Sequence, residues 1–281
     1  MCAAAGLAIL VAASALLCRN TLRVARVHPV MPPNSRSVTL EARDHVTLSA
    51  SFLEPPEKTG RCVLALHGIA SNRSGMVPFA PMLLAEHYAV LLPDSRAHGE
   101  SGGDLITYGV LEKFDALDWM HWLRQQGCEQ VYGLGESLGA AVLIQAAAQE
   151  PAFRAIVAEG SFASLEGVAE YRIAPMTHLP AWIAGVPSWL IVRSTEVYAR
   201  HVYGVDLSRI LPLEDIARTS TPVLLIHGLA DDRTPPSHSE QLARANPRAE
   251  LWLVPRAGHI GAFSAEPQEF RRRVLEWFNE N

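Results

Sequence analysis

The sequence has few of the features that mark metal-binding, redox or nucleic-acid-binding proteins. It contains four cysteines in 281 residues and no Cys-x-x-Cys pair, so neither a zinc site nor a thioredoxin-like site is expected. Its longest basic run is Arg271 to Arg273 and its net charge is −5, so we expect no nucleic-acid partner. No internal repeat or low-complexity tract follows residue 37. The length suits one large α/β domain or two small ones.

The four cysteines fall into two groups. Cys2 and Cys18 flank an apolar run at the N-terminus, whereas Cys62 and Cys128 each lie at the start of a predicted strand. The second pair can form a disulfide if the two strands are neighbours and the compartment is oxidising. Two buried thiols explain the same pattern equally well, so both interpretations stay open at this point.

The N-terminal segment carries conflicting signals. Residues 2–18 contain no charge and are followed by three arginines, at the short limit for a membrane-spanning helix. A cleaved secretory signal has the opposite order of charge, although residues 12–15 (AASA) offer a small-residue cleavage site. We therefore expect residues 1–20 to be an apolar membrane anchor or signal segment. The protein would then be membrane-anchored or exported, with the side of the membrane left open.

A Pro-rich linker is predicted over residues 21–37, and the body is predicted over 38–281. Strands and helices alternate in the body, which favours a mostly parallel sheet flanked by helices, with ligand sites at the carboxyl ends of the strands. Residues 160–215 break this alternation and hold Trp182 and Trp189, so we expect an inserted helical cap there. The predicted strands are 38–42, 46–52, 62–66, 88–92, 131–134, 155–158, 223–226 and 250–254. The predicted helices are 76–87, 108–126, 140–149, 236–245 and a closing helix with Ser264 as its N-cap.

A nucleophile elbow is predicted at residues 135–139, which read Gly-Glu-Ser-Leu-Gly and match G-x-S-x-G. An abrupt turn from a strand into a helix leaves no room for a Cβ two residues either side of its apex, which explains both glycines. Ser137 would occupy the strained apex with its hydroxyl held above the sheet edge. The N–H of Leu138, in the first turn of the helix, would point at the same space.

An acid and a base follow two later strands. Asp231 comes just after the strand 223–226, and His259 just after 250–254. The chain order Ser, Asp, His is that of hydrolases with a nucleophile elbow. A serine hydroxyl needs a base, and the base needs an acceptor that sets its tautomer. We therefore predict that His259 takes the proton from Ser137 and that Asp231 orients the imidazole.

Other residues near the strand ends have weaker claims on the chemistry. Asp232 is the rival for the acid, and Glu159 is a reserve acid or a supporting residue at the end of another strand. An oxyanion needs two donors, for which we expect the N–H groups of Leu138 and Ile69. The remaining polar residues are assigned structural roles: His67 and His227 satisfy loop carbonyls; Asp94, Arg96 and His98 brace a loop; Tyr108, Glu112 and Asp115 belong to helix surface and packing.

These motifs together resemble the α/β-hydrolase superfamily, near serine aminopeptidases, monoacylglycerol lipases and dienelactone-hydrolase-like esterases. The segments that carry the resemblance are LALHGIASN, DSRAHGESGG, the helix from TYG to WL, GLGESLGA, PVLLIHGLADDRTP and PRAGHIGAF, spread over about residues 62–265. The resemblance implies an α/β-hydrolase fold with an eight-stranded sheet, a covalent acyl-enzyme, and neither metal nor other cofactor. It also implies that the strand from Cys62 neighbours the strand from Val131. One departure is Ala97, where many relatives have Gly.

The function expected from this reading is a serine hydrolase that cleaves a small carboxylic ester through an acyl-enzyme on Ser137. The tryptophans of the cap suggest an apolar acyl substrate. The alternatives are a peptidase or amidase, an acyltransferase, or a membrane-tethered binding module without activity. Because the fold does not set the substrate, the sequence leaves acyl length and oligomeric state open.

Overall fold

The computed structural model of the chain describes residues 2–173 and 188–281. Its strands, in chain order, are β1 (Arg36–Glu41), β2 (Thr47–Leu53), β3 (Arg61–Leu66), β4 (Ala89–Pro93), β5 (Gln130–Glu136), β6 (Ile156–Glu159), β7 (Val223–Gly228) and β8 (Ala249–Val254). They form one eight-stranded sheet in the order β1-β2-β4-β3-β5-β6-β7-β8. β2 is antiparallel to both its neighbours, and all other pairs are parallel. The expected mostly parallel α/β architecture is confirmed.

The helices differ from the predicted ones at their ends. In the described residues the α-helices are α1 (Cys2–Leu22), α2 (Ala80–Ala85), α3 (Glu112–Gln125), α4 (Leu138–Ala147), α5 (Leu165–Ile173), α6 (Ser188–Tyr198), α7 (Pro212–Arg218), α8 (Ser237–Ala245), α9 (Ala262–Ala265) and α10 (Pro267–Glu280). α3 begins later than predicted because Tyr108 and Gly109 have φ of 54° and 109°, outside the helical region. The prediction of Ser264 as an N-cap was wrong, since it lies inside α9 and the N-cap of α10 is Glu266.

The core lies on both faces of the sheet. Successive side chains of a strand point to opposite faces, so Leu64 of β3 packs with Leu143 and Trp119 in one layer. Its neighbour Val63 packs with Phe270 in the other layer. Burial on both faces explains why the central strands are continuous apolar runs.

Cys62 and Cys128 form a disulfide with a Cα–Cα distance of 5.8 Å. β3 pairs with β5 in a register that places Cys62 opposite Val131. The disulfide therefore links the start of β3 to the residues just before β5. The bond joins positions 66 residues apart. Restricting the unfolded chain over such a loop contributes on the order of 2–4 kcal/mol.

The N-terminal helix α1 packs on the body. Its residues Cys18 and Leu22 are 1 % and 0 % exposed, and α1 continues past the expected start of the linker at residue 21. The linker itself contacts the body, because Asn72 Nδ2 donates to the Val27 carbonyl over 3.1 Å. In the part of the chain that is described, no helix is both long and apolar enough to span a membrane.

The described part of the insertion between β6 and β7 is mainly helical. It contains α5, α6 and α7, in agreement with the predicted helical cap. Trp189 is 54 % exposed, and Trp182 lies outside the described residues.

Candidate active site

The turn between β5 and α4 holds Ser137 in a rare conformation, with φ of 52° and ψ of −110°. The two flanking glycines are sterically required. A Cβ on Gly135 would lie 2.6 Å from the Ala140 nitrogen, and one on Gly139 would lie 2.2 Å from the Leu66 carbonyl oxygen. The backbone therefore closes tightly around the serine, and its strain is maintained by the surrounding structure.

His259 lies between the serine and an aspartate. Its Nε2 is 2.8 Å from Ser137 Oγ, and its Nδ1 is 2.7 Å from Asp231 Oδ2. An ionised carboxylate only accepts hydrogen bonds, so Nδ1 carries the proton and donates it. Nε2 of the neutral ring is then free to accept from the serine hydroxyl.

Asp231 is held as a carboxylate by several donors. Its Oδ1 accepts from the backbone N–H groups of Arg233 and Thr234 over 2.8 and 2.9 Å. Burial raises the pKa of Asp231, but hydrogen bonds from His227, His259 and these amides outweigh it and hold the pKa well below its usual range. The rival Asp232 is exposed.

His227 braces the aspartate from beneath. Its Nε2–H donates to the Thr234 carbonyl over 2.8 Å and lies 3.2 Å from Asp231 Oδ2. Its Nδ1 accepts from the Ser239 hydroxyl over 2.6 Å. The expectation that His227 satisfies a loop carbonyl is confirmed. Sequence reasoning missed Ser239; the signal for it was that a buried His needs a partner on each ring nitrogen.

The loop after β3 is fixed by two buried histidines. His67 Nδ1–H donates to the Gly68 carbonyl over 2.7 Å, and its Nε2 accepts from the Ser95 N–H over 3.1 Å. His98 Nε2 accepts from the Ala70 N–H over 3.2 Å. Burial lowers the pKa of His67 to about 3, so the ring stays neutral and keeps the lone pair that Ser95 uses. Both histidines brace loops, as expected.

This loop passes directly against the elbow. A Cβ on Gly68 would lie 3.3 Å from Ser137 Cβ. Ile69, Ser137 and Leu138 line the same cavity. Leu138 is also the first residue of α4, where backbone N–H groups have no helical partner. The two residues nominated as oxyanion donors are thus brought to the serine.

The loop after β4 depends on buried charges. Asp94 accepts from the backbone N–H groups of Arg73 and Glu100, each over 2.8 Å. Arg96 makes two hydrogen bonds to Asp115, of 2.7 and 2.6 Å. The bracing roles of Asp94 and Arg96 are confirmed.

Of the surface and packing roles expected for the two α3 acids, packing is confirmed and the surface role is wrong. Glu112 and Asp115 are 3 % and 6 % exposed. Glu112 accepts from the N–H groups of Thr107 and Gly109 and so closes the turn that precedes α3.

Glu159 does not take the place of the acid. Its Oε1 accepts from the Ala262 N–H over 2.8 Å, so it supports the segment that follows His259. Its Oε2 is buried with no hydrogen-bond partner among the described residues. Burial raises the pKa of Glu159 to about 7.

The serine opens into a cavity of about 290 Å³ whose lining is mostly apolar. The sheet side contributes Ile69, Tyr108 and Leu138, and the opposite side is helical. The helical side comes from α1, the cap and the segment after β6: Leu17, Thr21, Phe162, Leu165, Glu166, Val168, Ala169, Val192, Thr195, Glu196 and Leu207. Thr234 completes the lining. The arrangement can hold an apolar group beside an activated hydroxyl.

Comparison with known proteins agrees with this geometry. The chain is 31 % identical over 233 residues to the uncharacterized protein Rv2307c of Mycobacterium tuberculosis, covering 81 % of this chain and 73 % of the relative. It is 26 % identical over 230 residues to the uncharacterized protein YqkD of Bacillus subtilis, covering 80 % and 73 %. The structure of the Pyrococcus furiosus esterase Pf2001 superposes with a TM-score of 0.73 at 25 % identity, over 92 % of this chain and 99 % of that one. A family model described as the alpha/beta hydrolase family matches residues 63–273. The chain belongs to the alpha/beta hydrolase family.

Proposed function

We propose that this protein is a serine hydrolase that cleaves carboxylic esters of moderately apolar acids. Ser137 is the nucleophile, His259 is the general base and Asp231 is the orienting acid. The observation that carries the proposal is the unbroken chain of hydrogen bonds from Asp231 through His259 to Ser137, at the edge of an apolar cavity.

The reaction follows from these positions. Ser137 Oγ attacks the acyl carbonyl carbon while His259 Nε2 takes its proton, and the N–H groups of Ile69 and Leu138 bind the oxyanion. The intermediate collapses, the C–O bond to the alcohol breaks, and His259 returns the proton to that oxygen. Water then adds to the acyl-enzyme with His259 again as base, which releases the acid and restores Ser137.

The charges around the cavity favour an ester over an aminoacyl amide. Glu166 and Glu196 line the cavity, but Arg193 lies 3.8 Å from the first and 3.0 Å from the second. The positive charge of Arg193 offsets the negative charge with which this acidic pair would attract a substrate ammonium group. The lining of aliphatic side chains instead suits an acyl chain, and the solved relative Pf2001 is named an esterase.

The Cys62–Cys128 disulfide supports an oxidising compartment. It accords with a protein that is exported or held at a membrane through its N-terminal segment, which we include in the proposal.

The test is covalent labelling by an alkyl fluorophosphonate together with turnover of p-nitrophenyl butyrate. We expect the wild-type protein to be labelled and active, and Ser137→Ala to lose labelling and at least about 10⁴-fold in kcat. Ser264→Ala, at an exposed serine, is the matched control and should keep both. Persistent labelling of Ser137→Ala, or a folded wild-type protein with no turnover of any ester, would overturn the proposal.

A further inference from the structure

We propose that the N-terminal helix α1 forms one wall of the substrate cavity, where Leu17 and Thr21 limit the length of acyl chain that fits. This inference rests on the proposed function and adds the substrate preference of that site.

One face of α1 is turned inward with helical spacing. Ser14, Leu17, Cys18, Thr21 and Leu22 are buried or half-buried, at the intervals of three and four residues that mark one side of a helix. Between them, Leu16 is 61 % exposed. The helix therefore has a defined orientation on the body, and the two residues that reach the cavity belong to its inward face.

Specific polar contacts hold α1 in this orientation. On the cap side, Cys18 Sγ donates to the Thr195 carbonyl over 3.3 Å, and the hydroxyls of Ser14 and Ser194 lie 2.8 Å apart. Thr195 itself lines the cavity. These contacts hold α1 against α6, so that both helices line the cavity into which Ser137 opens.

The last turn of α1 is fastened to the opposite side of the cavity. Tyr108 Oη–H donates to the Thr21 carbonyl over 3.0 Å, and the Ile106 N–H donates to the Leu22 carbonyl over 2.8 Å. The last carbonyls of a helix have no partner within it, so the segment before α3 supplies them here. Since Tyr108 lines the cavity as well, this hydrogen bond fixes the C-terminal end of α1 at the cavity.

The inward face of α1 overlaps the segment expected to be an anchor or signal, because Ser14, Leu17 and Cys18 lie within residues 1–20. The hydrogen bonds described for α1 begin at Ser14, which meets Ser194 of α6. Cleavage after Ala15 would keep Leu17 and Thr21 in the chain but would remove Ser14 and its contact with Ser194.

The test changes the size of the wall and measures chain-length preference. Second-order labelling rates are determined with ethyl, hexyl and hexadecyl fluorophosphonates for Leu17→Ala and Leu17→Trp, with Leu16→Ala and Leu16→Trp as matched controls. We expect Leu17→Trp to lower the hexadecyl-to-ethyl rate ratio at least about 10-fold and Leu17→Ala to raise it, since one methylene in a pocket changes a rate about 10-fold or more. The Leu16 variants should stay within about 2-fold of wild type.

A second variant and a second readout protect the test against misfolding and against failure of the chemistry. Thr21→Leu, one turn away, should shift the ratio in the direction of Leu17→Trp, and thermal unfolding verifies that each variant is folded. In the Ser137→Ala background, the rise in Tm caused by hexanoate and palmitate reports binding without catalysis and should follow the same order. Equal ratios for the Leu17 and Leu16 variants would overturn the wall, whereas absence of any labelling in wild type would overturn the proposed function instead.

Discussion

The cavity has two sides that are built differently. Its floor consists of the loops that follow β3, β4, β5, β7 and β8, where buried polar groups satisfy one another, as at Asp231 and His98. Its roof consists of α1, α5 and α6, which face the cavity mainly with aliphatic side chains such as Leu17 and Val192.

The floor and the roof differ in how many substitutions they tolerate. Hydrogen bonds require directed partners, and a buried group that loses its partner costs about 1–3 kcal/mol, so the floor has few acceptable alternatives. Apolar packing accepts residues of similar volume at a cost of less than about 1.5 kcal/mol. The proposed chemistry thus tolerates few substitutions, while the shape of the cavity can vary by substitutions in the roof.

The largest effect is expected at the aspartate of the floor. Asp231→Asn replaces an acceptor by a donor toward His259 and favours the wrong tautomer, so kcat should fall about 10⁴-fold. Asp232→Asn, next in the chain but exposed, should be nearly unchanged. Ester turnover at pH 8 checks this for variants with matched thermal unfolding; a large loss in Asp232→Asn alone would reassign the acid.

A smaller effect, a loss of stability, is expected when the ion pair between Arg96 and Asp115 beneath the loop after β4 is removed. Asp115→Asn leaves the buried Arg96 with Asp44 as its remaining carboxylate partner. Removing one partner of a buried pair lowers the free energy of unfolding by about 3 kcal/mol. Urea denaturation measures it, with the exposed Asp104→Asn as control. Equal stabilities of the two variants would contradict the distinction drawn between floor and roof.

The smallest effect concerns Glu159, whose buried Oε2 has no hydrogen-bond partner in the described part of the chain. Burial raises its pKa from 4.5 to about 7, so the folded protein binds its proton more tightly than the unfolded chain does. The free energy of unfolding should therefore decrease as pH rises from about 4.5 to about 7. Glu159→Gln keeps an acceptor for Ala262 and should weaken this decline, giving a gain of about 1 kcal/mol at pH 8.

Urea denaturation at pH 5 and pH 8 measures this difference, with exposed Glu129→Gln as control. Part of the pH dependence of stability should remain in the variant, because Glu136 is a second buried acid. Its pKa in the wild-type protein is raised to about 8, mainly by burial and also by repulsion from Glu159. Identical pH dependence of the wild-type protein and Glu159→Gln would contradict the assignment to Glu159.

Much of the floor was predictable from the sequence. Strands buried on both faces appear as apolar runs, and parallel strands bring their carboxyl ends to one edge, so Ser137, Asp231 and His259 could be nominated together. The structure places these side chains in contact; their catalytic roles stay a proposal. The buried acids of α3 were not predictable, because charged residues on a helix are mostly exposed and the partner Arg96 lies 19 residues before Asp115.

The roof was harder to predict for a different reason. Residues 2–18 are apolar on all sides, and a helix of that kind has the same pattern whether it faces lipid or protein. Only tertiary contacts, such as those of Cys18 and Thr21, show which face of α1 is turned to the body.

The position of α1 also determines when the cavity can be completed during synthesis. Ser14 meets Ser194, a residue 180 positions later in the chain. At ~5–20 residues per second, the ribosome needs roughly 10 to 40 s to make the second helix after the first has emerged. Throughout that interval the nascent helix exposes its apolar face, which gives a membrane or a chaperone time to bind it before the rest of the enzyme folds beneath it.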